Sequence, residues 1–152
     1  MPQKWIAGGK MEIRRAKKAD IGAIRGLDKS GGFEERVVEK YMCPIDPSRQ
    51  EKTVILLAEE NGKAIGKAEI VIGLRQDAGR IAYLRKTVVS PKHRNKGVAT
   101  KLVKKALEEA RKEGASAIDL HVIDSNKTAI GMYGKLGFRL RHKEAHMRKN
   151  FR

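Results

Sequence analysis

The spacing of hydrophobic residues along this chain changes several times, and each change predicts a secondary-structure element. Alternating hydrophobic and polar positions predict strands over residues 11–15, 53–60, 63–73, 80–89 and 118–123. Hydrophobic residues three or four positions apart predict helices over residues 21–29, 33–42, 98–112 and 129–136. A closing hairpin is predicted over residues 138–142 and 145–149. The element order is therefore β-α-α-β-β-β-α-β-α-β-β.

Turn and capping residues set the limits of these elements. Asn61-Gly62 predicts a two-residue hairpin between the second and third strands, because both positions of such a turn need a positive φ. Asp20 stands at the N-cap of the first helix and Asn126 at that of the last. Gly114 ends the third helix as a C-terminal glycine.

One loop has the properties of a phosphate-binding site. Residues 94–99, RNKGVA, connect the strand that ends at Val89 to an amphipathic helix. The first N–H groups of a helix have no partner within it, and the helix dipole adds partial positive charge there. Gly97 allows a pyrophosphate to approach the backbone, and Arg94 and Lys96 add positive charge. The motifs of nucleotide hydrolases and dinucleotide-binding domains do not occur, and a basic turn before an ordinary helix is the alternative.

A second motif follows one strand later, where residues 120–138 read LHVIDSNKTAIGMYGKLGF. Together with RNKGVA it resembles the GCN5-related N-acetyltransferase family, in which the first motif holds the pyrophosphate of acetyl-CoA and the second supplies an Asn and a Tyr. The element order extends the resemblance over residues 11–151, and the specific motifs lie within 86–138. The resemblance implies a mixed α/β, acyl-CoA N-acyltransferase fold, whose mostly antiparallel sheet is flanked by helices and has splayed fourth and fifth strands.

The resemblance also implies direct transfer of an acetyl group from acetyl-CoA to a primary amine. Tyr133 would protonate the departing thiolate. Main-chain groups of Val88 and Val89 would bind the pantetheine arm, with Val88 N–H as an oxyanion donor, and Asn126 would reach the arm from the other side. The pyrophosphate would be held by Arg94, Asn95, Lys96, Gly97, Val98, Ala99 and Thr100. Without the motifs, Tyr133 would be a packing residue and Asn126 a helix cap.

The general base stays open between several residues. His121, in the predicted fifth strand, resembles a histidine that some protein N-terminal acetyltransferases of this family use through an ordered water. Strand alternation places it on the opposite face from Leu120 and Val122. Glu69 and Tyr83 are competing bases, and a lone histidine in a strand is more often structural.

Length and composition predict one domain over residues 11–152, preceded by an extension or tail over residues 1–10. Neither a bilayer-spanning run nor a signal-peptide core occurs, which predicts an intracellular, cytoplasmic protein that does not enter a membrane. The single Cys43 excludes an intramolecular disulfide framework. No metal site is expected, because His142 and His146 have no further soft ligands nearby.

The net charge of +16 exceeds what one polyanionic cosubstrate requires. It favours acidic partners such as a ribosome, nucleic acid or acidic peptides, although a solvated basic surface suited to high temperature would look the same. The predicted function is acetylation of a protein or peptide amine by a monomer or homodimer. The other hypotheses are a basic ribosome- or nucleic-acid-associated module with the same fold, and a small-amine or polyamine acetyltransferase.

Overall fold

The computed structural model describes residues 10–33 and 45–152, which fall into a first compact unit ending at His121 and a second formed by Val122–Arg152. The helices and strands in chain order are β1 (Met11–Arg15), α1 (Ile21–Ser30), β2 (Gln50–Glu60), β3 (Lys63–Arg75), β4 (Gly79–Val89), α2 (Val98–Lys112), β5 (Ile118–Asp119) and α3 (Lys127–Lys135). None of the helices within these described ranges is long and apolar enough to cross a membrane.

The five strands form one sheet in chain order. The first three pairings are antiparallel, and β5 runs parallel to β4. The β4–β5 pairing is limited to Ala82 with Ile118 and Tyr83 with Asp119, whereas β4 continues to Val89. The second half of β4 thus has no paired strand on that side within the described residues of the first unit, which matches the expected separation of the fourth and fifth strands.

The two faces of the sheet pack against different helices. On one face, a Cβ added to Gly66 of β3 would lie 3.1 Å from Leu102 of α2, so strand and helix approach closely through the glycine. On the other face, Leu27 of α1 packs with Leu57 and Val88. We refer to the latter as the α1 face.

A β-bulge interrupts β4 on the way to the phosphate-binding loop. Lys67 of β3 pairs with Val88, but Glu69, two residues along β3, pairs with Arg85, three residues back along β4. Lys86 lies in this bulge and has a left-handed φ of 51°. A bulge bends a strand and changes the direction of its side chains, and bulges are common beside active sites.

Most of the predicted elements in the described ranges are confirmed, with β2 and β3 longer than expected. Asn61 and Gly62 have φ values of 51° and 76°, as the predicted turn requires, and Gly114 follows α2 with a φ of 79°. The predicted helix over 33–42 lies, except for Phe33, outside the described residues, and so does the extension over 1–10, except for Lys10.

Two strand predictions are wrong. The fifth strand ends at Asp119 rather than at residue 123, so His121 lies beyond it. Residues 138–152 contain no strand, and Leu140, Met147 and Phe151 are 76%, 90% and 83% exposed. An alternating sequence forms a strand only where a neighbouring strand is available for hydrogen bonding. The second unit has no strand among its described residues that could pair with this segment.

Candidate active site

The loop between β4 and α2 has a backbone geometry that suits a phosphate group. Asn95 and Gly97 have left-handed φ values of 61° and 79°. Gly97 is the N-cap of α2, and no described side chain caps the helix there. Left-handed residues in such turns direct backbone N–H groups towards a concave side, where an anion is stabilised.

The cations of this loop are held near it by backbone contacts. Arg94 Nε donates a hydrogen bond to the carbonyl of Val89, 3.0 Å away, which ties its guanidinium to the end of β4. Lys96 Nζ lies 3.3 Å from the carbonyl oxygen of Lys92. The positive charge and the free helix start together fit the pyrophosphate of a nucleotide-like cosubstrate.

A polar chain braces the same loop against the β2–β3 hairpin. Ser90 Oγ lies 2.6 Å from His93 Nδ1, and His93 Nε2 lies 3.2 Å from Glu60 at the end of β2. These contacts fix the start of the loop relative to the sheet. No sequence pattern points to His93 or Glu60, because their proximity depends on where the β2–β3 hairpin lies.

Two of the candidate bases, Tyr83 and His121, lie in contact. The Tyr83 hydroxyl is 2.8 Å from His121 Nδ1, and the ring centroids are 5.5 Å apart. Tyr83 is 3% exposed, while His121 is exposed. A buried phenol therefore contacts an imidazole that remains exposed to solvent.

The third candidate, Glu69, belongs to a group of four charged residues. Arg85 Nε and Nη2 donate to Glu69 Oε1 at 2.9 Å and 2.6 Å. Lys67 is fully buried, and its Nζ lies 2.5 Å from Asp28 Oδ1 and 3.6 Å from Glu69 Oε2. We call Asp28, Lys67, Glu69 and Arg85 the buried ion-pair cluster. Its two carboxylates balance its two cations. The carboxylate of Glu69 is therefore already paired with Arg85 and Lys67.

This cluster and the Tyr83–His121 pair share the α1 face. Glu69 pairs with Arg85 across β3 and β4, and Tyr83 is two residues from Arg85 on β4. Residues two apart on a strand lie on the same face, so Arg85 and Tyr83 are neighbours there. The sequence signal for the residues that were not predicted is the Lys67-x-Glu69 pattern, which lies in the middle of β3 within an otherwise apolar, buried run.

The loss of stability on breaking this cluster should depend on which partner is removed. Asp28→Asn leaves the fully buried Lys67 ammonium with only the more distant Glu69, and we expect a loss of about 3 kcal/mol in the free energy of unfolding. Lys67→Met should cost less, because Glu69 keeps Arg85 and Asp28 is partly exposed to water. Urea denaturation of both variants measures this difference, and a neutral Asp28→Asn would contradict it.

Asn126 and Tyr133 lie on α3 in the second unit. Asn126 is its N-cap, and Oδ1 accepts a hydrogen bond from Ala129 N–H at 3.2 Å. The Tyr133 ring meets Phe138 edge-on, with centroids 5.5 Å apart. Capping and packing are thus present for these two residues, and their roles towards acetyl-CoA stay predictions. Cys43 lies outside the described residues.

Comparison with known proteins identifies the class of this fold and site. Residues 23–138 match the acetyltransferase (GNAT) family. Thialysine N-epsilon-acetyltransferase of Bos taurus is 41% identical over 139 residues, and the match covers 82% of each chain. The enzyme of the same name from Mus musculus is 42% identical over 59 residues, which cover 39% of this chain and 35% of that protein. N-alpha-acetyltransferase MAK3 of Arabidopsis thaliana is 33% identical over 82 residues, or 54% of this chain and 43% of that protein.

The solved structures show the same fold. Aminoglycoside acetyltransferase AAC(6')-Iy, in complex with a bisubstrate analogue of CoA, superimposes with a TM-score of 0.73 at 20% identity, covering 93% of this chain and 99% of that one. The sheet, the loop and these likenesses define an N-acetyltransferase of the GNAT type. The chain belongs to the GNAT family of acetyltransferases.

Proposed function

We propose that this protein transfers the acetyl group of acetyl-CoA directly to the α-amino group of a protein or peptide. The contact of 2.8 Å between the Tyr83 hydroxyl and His121 Nδ1 carries this proposal, because it supplies an oriented histidine on the α1 face. Amines attack only when deprotonated, and α-amino groups lose their proton near pH 7.7–8.0, whereas lysines do so near 10.4. A histidine is well matched to the first of these groups and poorly matched to the second.

The anion-binding loop would hold the cosubstrate, and acetyl-CoA supplies the activated acetyl group when bound. Residues 94–100 would hold its pyrophosphate, and main-chain groups of Val88 and Val89 would bind its pantetheine arm together with Asn126. The left-handed φ of Gly97, 79°, supports this assignment, because the N-cap residue then has no side chain over the first backbone N–H groups of α2. No described side chain competes for those N–H groups as a helix cap.

Two side chains would then move the protons, and a third would orient one of them. His121 accepts the proton of the amine through a water molecule, and Tyr83 keeps the imidazole in one orientation. Tyr133 gives a proton to the departing thiolate. Glu69 remains the competing base, but Arg85 and Lys67 occupy its oxygens and make a positioning role more suitable.

Polycationic amines are poor candidates on electrostatic grounds. The chain carries a net charge of +16, which repels a polyamine or an aminoglycoside. An acidic pocket would have to overcome this repulsion, and the two carboxylates of the buried ion-pair cluster, Asp28 and Glu69, are already paired with Lys67 and Arg85. This charge balance supports an acceptor other than an aminoglycoside.

A small amino acid is the second candidate acceptor, and the 41% identity to an enzyme named for thialysine favours it.

The net positive charge also favours a second class of function, in which the fold binds a ribosome or nucleic acid without catalysis. A thermal-shift experiment separates enzyme from module, because a ligand that binds only the folded protein raises its Tm. Stabilisation by nucleic acid but not by acetyl-CoA would contradict the proposed function.

His121→Ala should lower the acetylation rate of a peptide N-terminus by about 10² to 10⁴, the usual contribution of one general base. The loss should be greatest below pH 8, where the free amine is scarce. The rate is measured from pH 6 to 9 with saturating acetyl-CoA, and His142→Ala, which removes an exposed histidine paired with Glu144, is the control. Unchanged rates for His121→Ala over this range would assign the base to Glu69 or to water.

A further inference from the structure

Arg85 is the most exposed member of the buried ion-pair cluster. The exposed side-chain fractions are 0% for Lys67, 8% for Glu69, 18% for Asp28 and 24% for Arg85. Arg85 also lies on the same strand face as Tyr83, about 7 Å along the strand. A cation is therefore placed directly beside the pair that receives the acceptor amine in the proposed function.

The contacts of Arg85 leave one edge of its guanidinium available. The group carries five N–H donors in a rigid plane. Nε and Nη2 both donate to Glu69 Oε1. These two hydrogen bonds use the edge of the guanidinium that contains Nε. Over residues 10–33 and 45–152, no hydrogen bond or ion pair involves Nη1. Nη1 and the second hydrogen of Nη2 form the edge that binds a carboxylate through two parallel hydrogen bonds.

The surroundings of Arg85 also hold this edge in place. Glu69 is itself nearly buried and lies 3.6 Å from the fully buried Lys67, which is tied to Asp28 of α1. Buried ion pairs add little net stability compared with apolar residues of similar size. Their presence on the α1 face is explained more directly if they fix Arg85, since a preorganised group loses less entropy on binding.

We propose that Arg85 binds a carboxylate of the acceptor that lies close to the amine to be acetylated. This inference rests on the proposed function and names the acceptor more closely. The recognised chemistry is a carboxylate a few bonds away from a primary amine. It has two sources: the side chain of an acidic residue at the second position of a peptide, or the α-carboxylate of a free amino acid.

The test compares acceptors that differ only in this charge. One pair is a peptide amide with Asp or Asn at the second position, and the other pair is thialysine and its carboxamide. Hydrogen bonds to charged groups predict that the carboxylate form has a kcat/KM roughly 10- to 100-fold higher, chiefly through KM. Whichever pair shows the preference identifies the source of the carboxylate.

The variants separate Arg85 from the overall charge of the protein. In Arg85→Gln, and in the charge-balanced Glu69→Gln/Arg85→Gln, the preference should fall to near one. Arg14→Gln is the matched control, because Arg14 is also a partly exposed arginine of the sheet paired with carboxylates, and it should keep the preference. Raising the ionic strength should weaken long-range attraction in all of these proteins alike.

The possible failures are distinct from one another. If the peptides are acetylated but neither acceptor pair shows a preference for the carboxylate form, or if the Arg85 variants keep the preference while remaining folded by circular dichroism, the role of Arg85 is overturned and the proposed function stands. If thialysine reacts and no peptide does, the peptide acceptor is overturned, and the thialysine pair alone decides the role of Arg85. If no acceptor of either kind reacts, both are overturned.

Discussion

Tyr133→Phe is expected to lower kcat by about 10² to 10⁴ while the affinity for acetyl-CoA stays nearly unchanged. The substitution removes only the hydroxyl, which is the proposed proton donor to the departing thiolate. The edge-on contact with Phe138, at a centroid distance of 5.5 Å, needs only the ring and should be kept. Steady-state kinetics gives kcat, and calorimetry with acetyl-CoA gives the affinity.

Phe138→Leu is the control for this experiment, because it disturbs the packing of Tyr133 without removing its hydroxyl. It should change stability more than chemistry. Full activity in Tyr133→Phe, together with a loss in Phe138→Leu, would make Tyr133 a packing residue. That result would remove the general acid from the proposed function.

Gly97→Glu is expected to weaken binding of acetyl-CoA by about 10²-fold or more. The new side chain puts bulk and negative charge at the start of α2, where the pyrophosphate is proposed to lie. It also puts a residue with a Cβ at a φ of 79°, which costs about 1–2 kcal/mol of strain. Isothermal titration of acetyl-CoA measures the affinity.

Gly62→Glu separates strain from anion binding. Gly62 has a φ of 76° in the β2–β3 turn, and a Cβ there would have nothing within 4 Å. This variant carries the same charge and similar strain at a place without a proposed ligand, so it should bind acetyl-CoA normally. Unchanged affinity in a folded Gly97→Glu protein would show that the loop does not hold the cosubstrate.

Local sequence patterns predicted the parts of this fold that local interactions determine. Asn61-Gly62 forms the expected turn because these residues tolerate the positive φ that the turn requires. The RNKGVA loop precedes α2 as expected, because Gly97 can take the left-handed conformation at the helix start. Such features depend on a few adjacent residues and can be read directly from the sequence.

The failures concern contacts between distant residues. Strand alternation ran past Asp119 and through residues 138–149, but alternation does not reveal whether a neighbouring strand is in reach. The contact of Arg85 with Glu69 depends on the register of β3 and β4 beside the bulge at Lys86. No sequence pattern fixed that register, so the buried ion-pair cluster appeared only in the structure.

The hydrogen bond between Tyr83 and His121 was missed for the same reason. Both residues were named as separate candidates, but their contact requires the parallel pairing of β4 with β5, which are joined through α2. The residue types needed for the proposed chemistry can be recognised in the sequence. The structure adds which of them are in contact and which, like Glu69, already have cationic partners.

The most direct measurement of the central claim is a competition for limiting acetyl-CoA. Four acceptors at equal concentration are mixed with the protein: a lysine-free peptide with a free N-terminus, an N-terminally blocked lysine peptide, spermidine and an aminoglycoside. Mass spectrometry identifies the first product. The proposed function predicts that the peptide N-terminus is acetylated before the other three, and preferential acetylation of the lysine peptide, of spermidine or of the aminoglycoside would contradict it.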